Sequence, residues 1–162
     1  MLSLLDAVVV LTLVGAGLVT GLLFAFSLVV MRALQELPPA AGMAVMQRIN
    51  VLIIRPLFML PFLGTALLCL ALALLAVWHG VGADSAWLLA GAIVYLVGPW
   101  GVTIVFNVPL NNQLARRSPA EAAEAWPAYV RDWLRWNHVR TALGAAAVGL
   151  LGVGLALGQS VM

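Results

Sequence analysis

Residues 7–31 read AVVVLTLVGAGLVTGLLFAFSLVVM, an unbroken stretch between Asp6 and Arg32 without a charge. A helix of about 20 apolar residues crosses a hydrocarbon core of about 30 Å. Lipid offers no partner to a free backbone N–H or C=O, so a run of this length must be helical. Spanning strands would be about ten residues long with alternating polarity, and this run is neither. It has no basic leader and is long for a signal peptide, so it reads as a retained span. Three further runs share its character: 56–78 between Arg55 and His79, 86–106, and everything that follows Arg140. The expected fold is all-α, a four-transmembrane-helix bundle with spans at about 7–31, 56–79, 86–106 and 140–159, in one integral membrane domain covering 1–162.

Composition agrees. Of 162 residues, 64% are hydrophobic and 9% charged, against about a quarter charged in soluble domains; the mean hydropathy is +1.10. The single cysteine, Cys69, can build neither a disulfide framework nor a cysteine metal site. A net charge of +2 implies no nucleic-acid partner, and the placement of the charge says more than its sum. All eight basic residues are arginines. They lie in the segments Arg32–Arg55 and Asn107–Arg140, whereas the 80–85 turn carries only Asp84. Basic loops stay on the cytoplasmic side. Both termini are therefore expected outside and both long connections inside, in a bacterial inner membrane.

Those connections carry structure of their own. Pro38-Pro39 breaks the chain before an amphipathic inner-surface helix at about 40–54. Ser118-Pro119-Ala120-Glu121 has the pattern of a helix start, with Ser118 as N-cap, Pro119 at the first helical position and Glu121 as its box partner. A helix at about 119–139 should follow and run through Trp136 into the fourth span, with Pro127 kinking or dividing it. Pro109 should perturb the end of the third span. The halves also echo one another. Phe26-Ser27 and Phe106-Asn107 are separated by the same offset as Leu34 and Leu114, which suggests a two-fold parallel internal repeat; chance similarity between four-helix halves is the competing explanation. Gly17, Gly21 and Ala25, and Gly154 with Gly158, recur every four residues. Such small residues mark close helix contact, within the bundle or in a homo-oligomer.

The candidate chemistry lies at the inner surface. At about 100° per residue, Trp126, Tyr129, Trp133, Trp136, Asn137 and Arg140 fall within about 60° of one direction on a helix. Asn107 and Asn111 share a face if the third span stays helical past Pro109, and Asn50 adds an amide from the first inner helix. The stripe combines aromatic rings, carboxamides and a fixed cation, so a flat aromatic ligand could stack on it with an oxyanion held by Arg140. The plainer reading makes the aromatics interface anchors and Arg140 a snorkelling side chain. His138 is a candidate general base by residue type but points about 140° from Trp133, toward Arg131 and Arg135. His79 reads as an interface residue. No metal-ligand spacing, phosphate loop or Ser-His-Asp set is visible. No cofactor is expected; a lone His could ligate a haem iron, with nothing else in the sequence to support it.

At these residues the chain resembles a known family. The strings FAFSLVVMRAL, MQRINVLIIRPLF, FLGT, FNVPLNNQLA and WLRWNHVRTA look like those of the anthrone oxygenase-like family of small four-span membrane proteins. Many of its members have no assigned function. Arg32 stands where many members carry Pro, and Arg55 where Asn is frequent. The resemblance implies a membrane-embedded, cofactor-independent oxygenase that converts an anthrone, or another planar aromatic, with molecular oxygen. It implies a pocket near Asn107, Asn111, Trp133, Trp136, Asn137 and Arg140. In that reading Trp133 and Trp136 stack the ring, Arg140 and the amides hold its oxygen, and His138 or a water serves as base. Two alternatives remain: a non-catalytic accessory or lipophilic-ligand-binding protein, and a small oligomeric transport or stress-response protein.

Overall fold

The computed structural model describes residues 4–79 and 83–159. Residues 80–82, expected to form a turn, and the side chains of His79 and Asp84 lie outside the described residues. Among the described residues there are five helices and no strand: α1 (Leu4–Gln35), α2 (Pro39–Leu52), α3 (Pro56–His79), α4 (Ser85–Ala115) and α5 (Ala122–Gln159). α1, α3, α4 and α5 are each long and apolar enough to cross a membrane. Only 28–39% of the most apolar window of each is buried inside the bundle. The rest presents side chains such as Leu57 (92% exposed) and Leu60 (77% exposed) to the surroundings. A surface like that is stable only against acyl chains, so the chain is an integral membrane protein.

The four long helices form a ring. α1 packs beside α3 and α5, and α4 beside α3 and α5. Glycine sets the close approaches. A Cβ on Gly91 or Gly98 would run into Leu151 or Leu143 of α5, one on Gly154 into Leu88 of α4, and one on Gly144 into Thr20 of α1. Gly17 and Gly21, expected to mark a contact, have nothing within 4 Å. They lie away from the face of α1 that buries Ala16, Val19 and Leu23. The glycines that matter are those on the buried arc.

Two of the spans widen into π-helix, at Phe26–Val30 in α1 and Leu96–Asn107 in α4. The second contains Pro99, whose missing N–H and ring displace the regular ladder. The distortion expected from Pro109 therefore begins well before it, and Pro109 itself opens a regular α-helical segment, Val108–Ala115. α5 is not divided at Pro127; it is helical from Ala122 to Gln159. Including its first turn it spans 40 residues, about 60 Å at roughly 1.5 Å per residue. That is twice the hydrocarbon thickness, so the half carrying Glu124, Arg131, Asp132 and Arg135 extends beyond it. The start at Ser118 is as expected: Glu121 accepts from the Ser118 backbone N–H at 2.9 Å and from Arg117 Nη1 at 2.7 Å.

α2 closes the arginine-rich end of the ring. Its Met43 and Met46 are 1% exposed and pack with Met31, Leu34, Leu114, Trp126 and Trp133. Gln47 Nε2 donates to the carbonyls of Leu114 (2.8 Å) and Arg117 (3.1 Å), and so ties α2 to the end of α4, where the Leu114 carbonyl also accepts from the Arg117 N–H at 3.0 Å. Gly42 allows the approach, since a Cβ there would lie 2.6 Å from the Leu34 carbonyl oxygen and 3.0 Å from the Trp126 ring. Gly42→Ala should therefore destabilise the protein by about 1–3 kcal/mol despite the better helix propensity of Ala, while Gly17→Ala should be neutral or slightly stabilising. Thermal unfolding in detergent reads both; equal effects would mean that α2 does not sit against α1.

Candidate functional site

α5 supplies the spine of the site. Trp126, Tyr129, Trp133, Asn137 and Arg140 are all buried, with Asn137 wholly so. Trp136 is the one member of the stripe that departs. It sits about 60° from Trp133 around the helix. There, on the side of α4, it stacks on Phe106 at 3.5 Å with an 8° interplanar angle. The other rings form a chain: Trp126 on Tyr129 (5.8 Å), Tyr129 near Trp133 (6.4 Å), and Trp133 against Phe26 of α1 (5.5 Å).

Each polar group is oriented by a named partner. Asn137 Nδ2 donates to the Leu23 carbonyl at 2.9 Å and to Ser27 Oγ at 2.8 Å. That fixes its amide, so Oδ1 faces Arg140 and accepts from Nε (3.0 Å) and Nη2 (2.8 Å). Arg140 Nη1 donates to Thr103 Oγ1 at 2.8 Å, and Thr103 in turn donates to the Pro99 carbonyl at 2.5 Å. The guanidinium also lies 5.0 Å from the Trp133 ring centroid. Asn111 Oδ1 accepts from both Tyr129 Oη and Trp133 Nε1 at 2.9 Å, so its Nδ2 remains a donor. Asn107 Nδ2 reaches the Trp133 carbonyl at 3.3 Å, and its Oδ1 is buried with no hydrogen-bond partner. His138 is exposed, with Nδ1 3.0 Å from Ser27 Oγ.

The electrostatics of this arrangement are unusual. Arg140 is 6% exposed, yet its partners are an amide and a hydroxyl. Among the described residues no carboxylate pairs with it; the two ion pairs are Arg117–Glu121 and Arg131–Asp132, both exposed. A buried charge with no counter-ion is costly. A guanidinium has five N–H donors, and the three bonds above use one each from Nε, Nη1 and Nη2. Two N–H groups are left.

Arg140 stands on the wall of a cavity. A space of about 390 Å³ lies among α1, α2, α3, α4 and α5, and Arg140, Thr103, Asn111 and Asn50 are part of its wall. The remainder is largely apolar and aromatic, with Phe26, Phe58, Phe62 and Trp133 among the residues that line it. A volume in the range of ordinary small-molecule sites, an apolar wall and a few convergent polar groups are the features of a binding pocket. Trp136, Asn137, Asn107, Tyr129 and His138 do not line it. Of the residues singled out in the sequence, four (Arg140, Trp133, Asn111 and Asn50) meet at the cavity, and Asn137, Tyr129 and Asn107 hold members of that set from behind.

A family model for anthrone oxygenase matches residues 58–150, more than half of the chain. The chain belongs to the anthrone oxygenase family. The matched region of this anthrone oxygenase family member spans α3, α4 and most of α5. It carries Thr103, Asn107, Asn111, Trp133, Asn137 and Arg140, while Ser27 and Asn50 lie before it. No curated protein and no solved structure matches the chain. Thr103 escaped the sequence reading, although a signal was present: it is the only Ser or Thr between Ser85 and Ser118, and it lies one turn before Asn107. The apolar lining residues Phe58 and Phe62 carried no comparable signal in a span where nearly every residue is apolar.

Proposed function

We propose that this protein is a membrane oxygenase that binds a planar aromatic substrate of the anthrone type in the cavity and holds its deprotonated oxygen on Arg140. The observation that carries the reading is the buried, carboxylate-free guanidinium with two unused N–H donors on the wall of an aromatic cavity. An oxyanion is the group such a site lacks. The flat ring fits against Trp133, with Phe26, Phe58 and Phe62 around it, and Asn111 Nδ2 offers a second donor.

The chemistry follows from the substrate. The CH₂ of an anthrone is acidified by its carbonyl and two flanking rings. Loss of one proton gives a delocalised enolate whose negative charge rests largely on the oxygen. Opposite charge beside that oxygen favours the ionised form. The electron-rich carbon passes an electron to O₂, the two radicals combine to a peroxide, and loss of water with the second CH₂ proton gives the quinone carbonyl. One O₂ is consumed, one of its oxygen atoms enters the product and the other leaves as water, so no external reductant is needed. The residues bind the ring, exclude water and hold the developing charge. His138 does not line the cavity, which favours a water held by the amides as the proton acceptor.

The test is oxygen uptake by the purified protein in detergent with an anthrone. The expected result is acceleration over autoxidation, with one quinone formed per O₂ consumed. An unchanged autoxidation rate, with the anthrone still bound, would instead indicate a ligand-binding role.

The arginine distribution supports a placement with the α2 end of the bundle in the cytoplasm, both termini outside, and a bacterial inner membrane as the host. A reporter fused after residue 162 that is active only outside the cytoplasm should then give signal; signal from a cytoplasm-dependent reporter at the same site would reverse the topology.

A further inference from the structure

We infer that the cavity is loaded sideways from the bilayer, by a neutral ligand, through a window between the α2–α3 elbow and the half of α4 nearer the arginine-rich end of the bundle. The inference rests on the reading of the cavity as an aromatic-ligand site.

The walls of the cavity are not alike. On the α1 and α5 side it is closed by buried residues: Leu23, Phe26, Trp133 and Arg140. Toward the arginine-rich end it is closed by Met46 and Gln47 of α2, and Gln47 ties that helix to the carbonyls of Leu114 and Arg117. The remaining side is lined by residues that are also open to the surroundings. Val51 (54% exposed) and Ile54 (66%) stand on one edge, and Ile104 (45%) and Val108 (40%) on the other. These four residues touch both the cavity and the outside and are apolar; the other exposed lining residues of α4, Asn112 and Ala115, lie beyond Val108 toward the arginine-rich end.

Two features of the chain produce the gap. α2 ends at Leu52 and α3 begins at Pro56, so Ile53–Arg55 form a turn at this edge. Opposite, α4 is π-helical from Leu96 to Asn107, and a widened turn displaces the following helix from the line it would otherwise hold.

An apolar rim beside the spanning helices faces acyl chains rather than water. A ligand dissolved in the bilayer passes it at little cost, whereas an anion would have to shed its hydration there. The substrate therefore enters protonated and loses its proton only inside, next to Arg140. The same rim keeps the enolate from leaving before it reacts.

The experiment uses the full-length protein in lipid vesicles with two quinones that are not turned over, anthraquinone and its water-soluble sulfonate. Quenching of the Trp133 fluorescence is taken as the difference from Trp133→Phe. Anthraquinone in the bilayer should quench Trp133, and the sulfonate at equal total concentration should quench it at least tenfold less. Joining the edges with a thiol-cleavable cross-link in Ile54→Cys/Val108→Cys/Cys69→Ser should prevent quenching by anthraquinone until the link is cut. As a second variant, Ile54→Phe/Val108→Phe should slow the onset at least tenfold with the same final extent. Equal quenching by both quinones, or an onset unaffected by both rim variants, overturns the window. Failure of anthraquinone to quench the wild-type protein overturns the aromatic-ligand reading itself, and the window with it.

Discussion

Replacing Arg140 by methionine lowers anthrone turnover by about a hundredfold or more and leaves the bundle nearly as stable as before. The first half follows from the chemistry. Removing one preorganised donor to a developing oxyanion costs on the order of 10²–10³ in rate, and here the charge is removed as well. The second half follows from burial. An arginine that is 6% exposed and paired with no acid contributes little net stability, because its desolvation opposes whatever its hydrogen bonds return. Methionine fills a similar volume with a flexible apolar chain. The loss falls on the Oδ1 of Asn137, which is left without its two donors at a cost of about 1–3 kcal/mol, and less on Thr103 Oγ1, which keeps its bond to the Pro99 carbonyl; relief of the buried charge offsets it. A structural arginine would give the opposite pattern, with stability and turnover falling together. Oxygen uptake and thermal unfolding, measured on the same preparation, separate the two.

Asn137→Leu gives the larger stability effect. The carboxamide donates to Leu23 and Ser27 of α1 and accepts twice from Arg140, so one side chain ties α1 to α5 and positions the cation. Leucine has nearly the same shape and none of these bonds. Of its hydrogen-bond partners the Arg140 guanidinium then keeps only Thr103. Breaking a buried charged arrangement by removing one partner typically costs about 3–5 kcal/mol, and this change should lie in that range. The double variant Asn137→Leu/Arg140→Met should be more stable than Asn137→Leu alone, because the stranded charge is gone. Coupling of this kind between touching residues reaches about 0.5–3 kcal/mol. Strict additivity of the two changes would show that Asn137 acts only through α1.

The spans and the stripe on α5 could be read from the sequence because each rests on a rule that acts locally. An uncharged run of about 20 residues or more has one stable conformation in lipid, whatever surrounds it. Trp133, Asn137 and Arg140 follow the i, i+4, i+7 spacing that shares a face on any helix, and α5 is one undivided helix through all of them. The placement of Trp136 was not legible. It lies at the margin of the stripe, and only the position of Phe106 on α4 decides that it stacks there. The division of labour among the amides was hidden for the same reason. Nothing in the spacing of Asn107, Asn111 and Asn137 tells which amide reaches the cavity and which braces another side chain. Periodicity also failed in α4, where the segment from Leu96 to Asn107 follows a π-helical rather than an α-helical repeat. Thr103 meets Arg140 in that segment.

The central claim is that the Arg140 guanidinium receives the anionic oxygen of an aromatic ligand. The most direct measurement is the absorption spectrum of an anthrone bound to the protein without oxygen, so that ionisation can be seen apart from oxidation. The wild-type protein should show the long-wavelength band of the enolate at a pH where the same anthrone in empty micelles is fully protonated, and Arg140→Met should show the protonated form only. A bound anthrone that stays protonated in the wild-type protein, or an enolate band that persists in Arg140→Met, would contradict the claim.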